Sequence, residues 1–311
     1  MKKLIPLIIF AFHFFAFSQQ DPQYTQYMYN QSIINPAYAT NDLDVINLGA
    51  MNRSQWISTV GAPKTYTFFA HAPLSEKIQV GLSFITDNIG DGILRENNVY
   101  ADFAYVLQVG KNQKLSLGLK AGFTNFQTNF SGFKLPDGLL TNDEAFNNQN
   151  RMLPNFGFGA FYFTDDYYIG LSAPNFLKSK QIEQRKGQNR LGAEEIHFFL
   201  TAGYVYKLNN QFKIKPSIMA KAVKGSPITL DTSINVLFNN KFEGGVSYRL
   251  NDSFSGMFNV RATNNLRIGY AYDYTTSNLG NFNSGTHEIM LLFDLYLIEF
   301  KKGYDKSPRF F

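Results

Sequence analysis

Few side chains in this chain stand at spacings that support chemistry. Of its 4 histidines, His13 falls in an apolar leader, and His71, His197 and His287 stand singly, so none forms the H-E-x-x-H pair of a helical zinc site. "GLSAP" at 170–174 approaches a nucleophile elbow, but the closing glycine is missing and no strand-to-helix context follows. "GFGAF" at 157–161 lacks the third glycine and the helix of a dinucleotide loop; on a strand such glycines permit close packing. "TNDLD" at 40–44 offers carboxylates to calcium in principle, yet an Asn/Asp turn ahead of a strand is the simpler reading. No catalytic, cofactor-binding or metal-binding residue is assigned, and the chain is read as a non-enzyme. With 0 cysteines, a disulfide framework and a lipid-anchored N-terminus are excluded as well.

What remains is chemistry of contact. The stretch "QQDPQYTQYMYNQSIINPAYA" at 19–39 is rich in amides, which donate and accept, and in tyrosines, which offer rigid contact area. Tyr24, Gln26, Tyr27, Met28, Tyr29, Asn30, Asn35 and Pro36 are its candidate functional residues, and Asn35-Pro36 breaks any helix. Two readings stand: a plug packed inside a hollow fold, which is preferred, or a surface docking a partner on the periplasmic side, where the segment is expected to start.

Both readings depend on the elements behind this stretch. Lys2 and Lys3, the apolar run Leu4–Phe17 and Ala16-Phe17-Ser18 make a secretory signal peptide over 1–18. Its run of about 14 residues falls short of the roughly 20 that a spanning helix needs. Cleavage removes two lysines and takes the formal charge from +5 to +3, which is too small and dispersed for nucleic-acid binding. Aromatics reach 16% against 17% charged residues, unlike an ordinary soluble surface.

Beyond the leader, apolar residues recur with period two. In "LRIGYAYDY", Leu266, Ile268, Tyr270, Tyr272 and Tyr274 share one face, and Arg267, Gly269, Ala271 and Asp273 the other. In "KLSLGLKAGF", Leu115, Leu117, Leu119, Ala121 and Phe123 oppose Ser116, Gly118, Lys120 and Gly122. About fourteen such segments, each near the ten residues of a tilted transmembrane strand, centre on Ile46, Phe68, Leu82, Phe103, Leu119, Phe158, Ile169, Leu200, Ile218, Ile234, Val246, Phe258, Ile268 and Leu292. Short turns follow the even segments and mostly longer links the odd ones, including the spans 125–152 and 172–194; "VKGSP" and "LNDS" are exceptions. This predicts an all-β fold: an antiparallel outer-membrane β-barrel of about fourteen strands with both termini in the periplasm. Backbone groups in hydrocarbon must be satisfied internally, so such a sheet has to close. A soluble sandwich would turn its second face, here rich in Gly, Ala, Ser and Thr, into a Lys- and Glu-rich one.

On that barrel, Arg53 and Trp56 of "RSQW" fall at the end of the first strand, as an interfacial anchor to lipid and lipopolysaccharide. Arg53 has a second reading, as a cap on the lumen. Glu288 lies opposite Ile289 and Leu291 and is expected in the lumen, with Arg267 on the preceding strand as its candidate partner.

The opening stretch, together with "RSQWISTVGAPKTYTFFAHAPL" at 53–74, "YIGLSAPNFL" at 168–177, "GYAYDYTTSNLGNFNSGTHEIMLLF" and the terminal "SPRFF", resembles the PorP/SprF family of type IX secretion and gliding-motility outer-membrane proteins. The resemblance covers essentially the whole mature chain. It implies a barrel similar to the fatty-acid transporter-like barrels in the outer membrane of a Gram-negative bacterium. It also implies support for export or surface anchoring of an adhesin through that adhesin's C-terminal secretion domain, with type IX or periplasmic motor and peptidoglycan-associated components as further partners. The alternatives are a transporter of small hydrophobic molecules and a passive porin. Residues 125–152 and 178–190 match no motif. The expected organisation is a leader at 1–18, a periplasmic or plug segment at 19–42, a barrel at 43–298 and a periplasmic tail at 299–311.

Overall fold

A strand with one apolar and one polar face satisfies its backbone only against other strands, and here that pairing runs full circle. The computed structural model describes residues 23–131, 148–176 and 195–296. The expected signal peptide, the charge-rich run at 178–190 and the tail at 299–311 lie outside the described residues, as does most of the 125–152 span.

The strands are β1 (Val45–Ser54), β2 (Lys64–Pro73), β3 (Ile78–Ile89), β4 (Leu94–Gly110), β5 (Gln113–Thr128), β6 (Gln149–Phe163) and β7 (Tyr167–Ala173). They continue as β8 (His197–Tyr204), β9 (Phe212–Val223), β10 (Thr229–Phe238), β11 (Phe242–Arg249), β12 (Ser253–Arg261), β13 (Leu266–Thr275) and β14 (Thr286–Tyr296). The pair Tyr206–Lys207 prolongs β8 past Val205 along the same neighbour, β9. Every strand pairs antiparallel with its neighbours in sequence, and β14 pairs with β1 from Val45 opposite Tyr296 to Ser54 opposite His287. The result is a closed fourteen-stranded barrel without a free edge. Each of the fourteen segment centres falls inside its strand.

The two faces are inverted relative to a soluble protein. Phe68, Leu119, Phe156, Leu171 and Phe258 point outward, exposed over more than 40% of their surface, whereas Thr67, Lys215, Asn235 and Glu288 are wholly buried inside. In water such an apolar belt would be an aggregation surface; against lipid it is the required exterior. Tyr105, Tyr204 and Tyr206 toward one end, and Tyr66, Tyr270 and Tyr274 toward the other, place exposed aromatic rings near both interfaces.

The links sort by rim. Residues 74–77, 111–112, 164–166, 208–211, 239–241 and 262–265 form a short-turn rim, and the opposite rim carries the longer loops, with 90–93, 224–228 and 250–252 as its short members. Asn239 and Asn240, both at positive φ (51° and 53°), make the β10–β11 turn, a geometry that asparagine tolerates. One boundary differs from the sequence expectation. The span 125–152 is not loop throughout, because β5 continues to Thr128 and β6 begins at Gln149. Its polar residues conceal strand, and Asn125, Phe126 and Gln127 stay paired with Met152, Arg151 and Asn150.

Candidate functional site

The lumen is filled by the chain's own N-terminal segment. Every residue from Tyr24 to Ala39 is buried, and all but Pro36 are no more than 8% exposed. Tyr27–Tyr29 form one 3-10 turn and Gln31–Ile34 a single helical turn, α1, which stops at Asn35 because Pro36 follows. The segment's first described residues are not at the short-turn rim, where the sequence suggested that the segment would start. Tyr24–Gln26 lie in the long-loop half, and Thr40 meets Gln79 near the short-turn rim, so the chain descends the lumen before turning into β1. At that turn Asn41 Nδ2 donates to Asp165 (2.9 Å) and the Asp42 N–H to Thr40 Oγ1 (3.1 Å), which makes "TNDLD" a connection between plug and wall.

Three sets of contacts hold the plug. The first is ionic. Closure of the barrel sets Arg53 directly opposite Glu288, and the guanidinium bridges Glu288 (3.0 Å) and Asp273 (2.8 Å). Glu288 then accepts the backbone N–H groups of Thr25 (3.0 Å) and Gln26 (2.9 Å), while Thr25 Oγ1 donates to Asp273 (2.7 Å). One arginine and two carboxylates are thereby shared between wall and plug. Removing one member of such a buried set strands the others, at a typical cost of about 3–5 kcal/mol.

The second set engages side-chain tips. Tyr24 Oη and Thr67 Oγ1 are 2.6 Å apart. Tyr29 donates to Glu243, which also accepts from Asn235 Nδ2, and the Lys215 ammonium lies 5.4 Å from the centre of the Tyr29 ring. Tyr27 and Met28 are buried in the apolar cluster with Met51, Met219, Met257 and Met290. Asn30 Nδ2 reaches Met51 Sδ at 3.2 Å.

The third set is a smooth floor. Gly118 and Gly159 are directly paired on β5 and β6, and an added Cβ at Gly118 would collide with the backbone of Pro36 and Ala37. A Cβ at Gly159 would strike Asn35, and one at Gly170 would crowd both Thr201 and Asn35. Absent side chains thus create the groove that receives Asn35-Pro36-Ala37. The open carbonyls at the end of α1 are met from the same wall: Lys120 Nζ donates to Ile33 O (3.1 Å) and Ser172 Oγ to Ile34 O (2.8 Å). Asn35 Nδ2 donates to Ala160 O (3.1 Å). "GLSAP" and "GFGAF" are therefore contact surfaces for the plug.

Two sequence assignments need correction. Arg267 and Glu288 are not partners. Arg267 stands opposite Leu292, four positions or roughly 13 Å along the strand from Glu288's level. Its own carboxylate neighbour is Glu243 at 4.0 Å, and Glu288 pairs with Arg53. Arg53 in turn is no anchor to lipid: it shares the inward parity of Asn47 and Met51 and is buried in the lumen. Trp56 sits just past β1, half-buried, with its backbone N–H donating to Thr286 Oγ1 (3.1 Å). Glu243 was not named from the sequence, and Asp273, Lys120 and the floor glycines were placed on strand faces without a contact to the plug. Their inward parity was the available signal.

Above the plug, toward the long-loop rim, a cavity of about 60 Å³ remains, with Tyr24, Ile33 and Ile34 as floor and Ile85, Phe199 and Met219 among its walls. Among the described residues no group of three or more His, Cys, Asp or Glu is placed to hold a metal ion.

Comparison with known proteins adds the following. The sequence model described as "Type IX secretion system membrane protein PorP/SprF" matches residues 16–293. No curated protein matches the chain. The barrel is similar to the outer membrane protein Omp33 of Acinetobacter baumannii, with 8% identity and a TM-score of 0.47 over 81% of this chain and 97% of that one. It is also similar to the toluene transporter TodX of P. putida (12%, 0.43, 85% and 92%) and to a FadL homologue of Pseudomonas aeruginosa (11%, 0.43, 82% and 89%).

Proposed function

This chain belongs to the PorP/SprF family of type IX secretion system membrane proteins, and from that premise we propose that it supports export or surface anchoring of an adhesin by holding the adhesin's C-terminal secretion domain. The barrel sits in the outer membrane of a Gram-negative bacterium with its short-turn rim on the periplasmic side. Its long-loop rim faces outward and carries the contacts to cargo. The periplasmic rim meets motor or peptidoglycan-associated components, and the outer belt meets lipid and lipopolysaccharide. The protein works by binding, without catalysis.

The observation that carries this reading is the filled lumen. A plug bonded to the wall from Tyr24 at one end to Thr40 at the other leaves little room for solute passage. Function then falls to the rims, where loops supply hydrogen bonds and aromatic residues supply contact area. Affinity purification of the tagged protein from its native outer membrane in mild detergent tests this. Recovery of a surface protein through its C-terminal secretion domain is expected. A barrel that purifies alone and conducts ions in planar bilayers would overturn the proposal in favour of a porin, and one that carries a bound hydrophobic molecule would favour a transporter.

A further inference from the structure

The outer face of the barrel changes character toward the long-loop rim, and it does so on one arc. There Ser54, Lys64, Asn88, Arg95, Gln127 and Asn150 are successive cross-strand partners on β1 to β6, all with the outward parity of their strands. His287 continues the row on β14, opposite Ser54. One level toward the bilayer, Asn52, Tyr66, Thr86, Asn97 and Asn125 form a second row, in which Thr86 Oγ1 donates to Asn97 Oδ1 (3.1 Å). The next level, with Phe68, Phe84, Val99 and Phe123, is apolar. No carboxylate stands in these rows, and Asp91 lies above them in the 90–93 turn. Across the barrel, the outward residues nearest the same rim on β8, β10, β11 and β12 are Phe198, Leu230, Tyr248 and Phe254, and none is charged. A rim that needed only to be wetted would be polar all round; cations confined to one arc mark a ligand there.

The centre of the band is preorganised. Lys64 and Arg95 flank Asn88 at two strand spacings, roughly 10 Å, which their long side chains can close. Arg95 Nε donates to Asn88 Oδ1 (2.8 Å), which holds the guanidinium toward Lys64. Neither cation forms an ion pair, and the terminal nitrogens of Arg95 make no hydrogen bond, among the described residues. A planar guanidinium and an ammonium converging on one spot suit a phosphate group. The amides and hydroxyls below them suit sugar hydroxyls, and the aromatic level below that suits acyl chains.

From water to bilayer the order is therefore cation, hydrogen-bonding group, apolar surface. We infer that the outer face of β1–β5 beneath the long-loop rim is a binding site for the phosphorylated sugar headgroup of lipopolysaccharide, with a phosphate seated between Lys64 and Arg95. The site rests on the reading above that this rim faces outward, because that glycolipid occupies the outer leaflet.

Native mass spectrometry of the purified full-length barrel in detergent tests this, titrated with bisphosphorylated lipid A, with the same glycolipid stripped of phosphate, and with inorganic phosphate as competitor. Saturable binding of lipid A is expected, weakened at least tenfold when its phosphates are removed. Lys64→Gln and Arg95→Gln should each weaken it about tenfold, the effect of one lost charge-assisted contact. Arg95→Lys, which keeps the charge and loses the fork, should fall between. Lys111→Gln, the same loss of charge on the short-turn rim, should leave binding unchanged. Equal binding with and without phosphate, or equal weakening by Lys64→Gln and Lys111→Gln, would overturn the site. Displacement of lipid A by equimolar inorganic phosphate would reassign it to a free ion. A cysteine at Val60, 92% exposed in the β1–β2 loop, should react with an impermeant maleimide on intact cells; silence there would put the rim in the wrong leaflet and also overturn it. The adhesin role fails separately: a barrel that binds lipid A but recovers no surface protein keeps this site and loses that role.

Discussion

Arg53 on β1 and Glu288 on β14 are direct partners across the seam that closes the barrel, and their 3.0 Å ion pair also fixes the N-terminal plug. The seam and the plug therefore share one electrostatic latch. Arg53→Met should destabilise the protein by about 3–5 kcal/mol, since Asp273 and Glu288 would remain buried without their cation. In a double-mutant cycle, Arg53 and Glu288 should couple by more than about 1 kcal/mol, and Arg267 with Glu288 by only a few tenths. Urea unfolding in detergent measures both cycles; equal coupling would contradict the assigned pairs.

The glycine floor yields a second prediction. Gly118→Val places atoms where the Pro36–Ala37 backbone runs, so the plug should be displaced while the strands stay paired. Gly256→Val, at a position with nothing within 4 Å of an added Cβ, is the matched control. A cysteine introduced at Tyr27 reports the outcome. It should resist a membrane-impermeant maleimide in the parent and the Gly256→Val variant, and react in Gly118→Val.

Removing the plug should change transport rather than folding. The backbone hydrogen bonds of the barrel are made between its own strands, and those of residues 24–40 do not join the ring. A chain lacking residues 24–40 should thus insert and conduct ions in planar bilayers, with the intact protein electrically silent. Equal conductance of the two would mean that the plug does not seal the lumen.

The barrel was legible in the sequence because period-two patterning is local. Leu266 to Tyr274 display their faces within nine residues, and a strand keeps that assignment wherever it pairs. Parity likewise placed Glu288 and Arg267 inside. What parity does not contain is register across the seam. Each inward charge has neighbours on two strands, and the partner that wins for Glu288 is 235 positions away in sequence. The plug contacts have the same character: Thr25 meets Asp273 across 248 positions, and no local pattern encodes that meeting. The glycines on β5 to β7 were visible as residues that permit close approach, but what approaches them is a segment more than 80 residues upstream. The direction of the plug was hidden for the same reason, since a segment that enters β1 at the short-turn rim can still have its far end near the opposite one.

Leu119 and Lys120 put the inversion of the fold to a test one residue wide. Leu119 is 65% exposed on the outer belt, and its neighbour Lys120 is buried inside, bound to Ile33 O and 3.4 Å from Asp102. In lipid, Leu119→Arg should cost about 2–4 kcal/mol, the penalty for a charge near the bilayer midplane. Lys120→Met leaves the outer belt intact, removes the donor to α1 and leaves Asp102 without its cation, so it should loosen the plug and raise maleimide labelling of a cysteine at Tyr27. The two variants separate by readout: the first should lower stability in bilayers without exposing the plug, and the second should expose the plug without impairing insertion. If Leu119→Arg were neutral in reconstituted bilayers, the outer face would be in water, and the membrane-spanning reading of the barrel would fall.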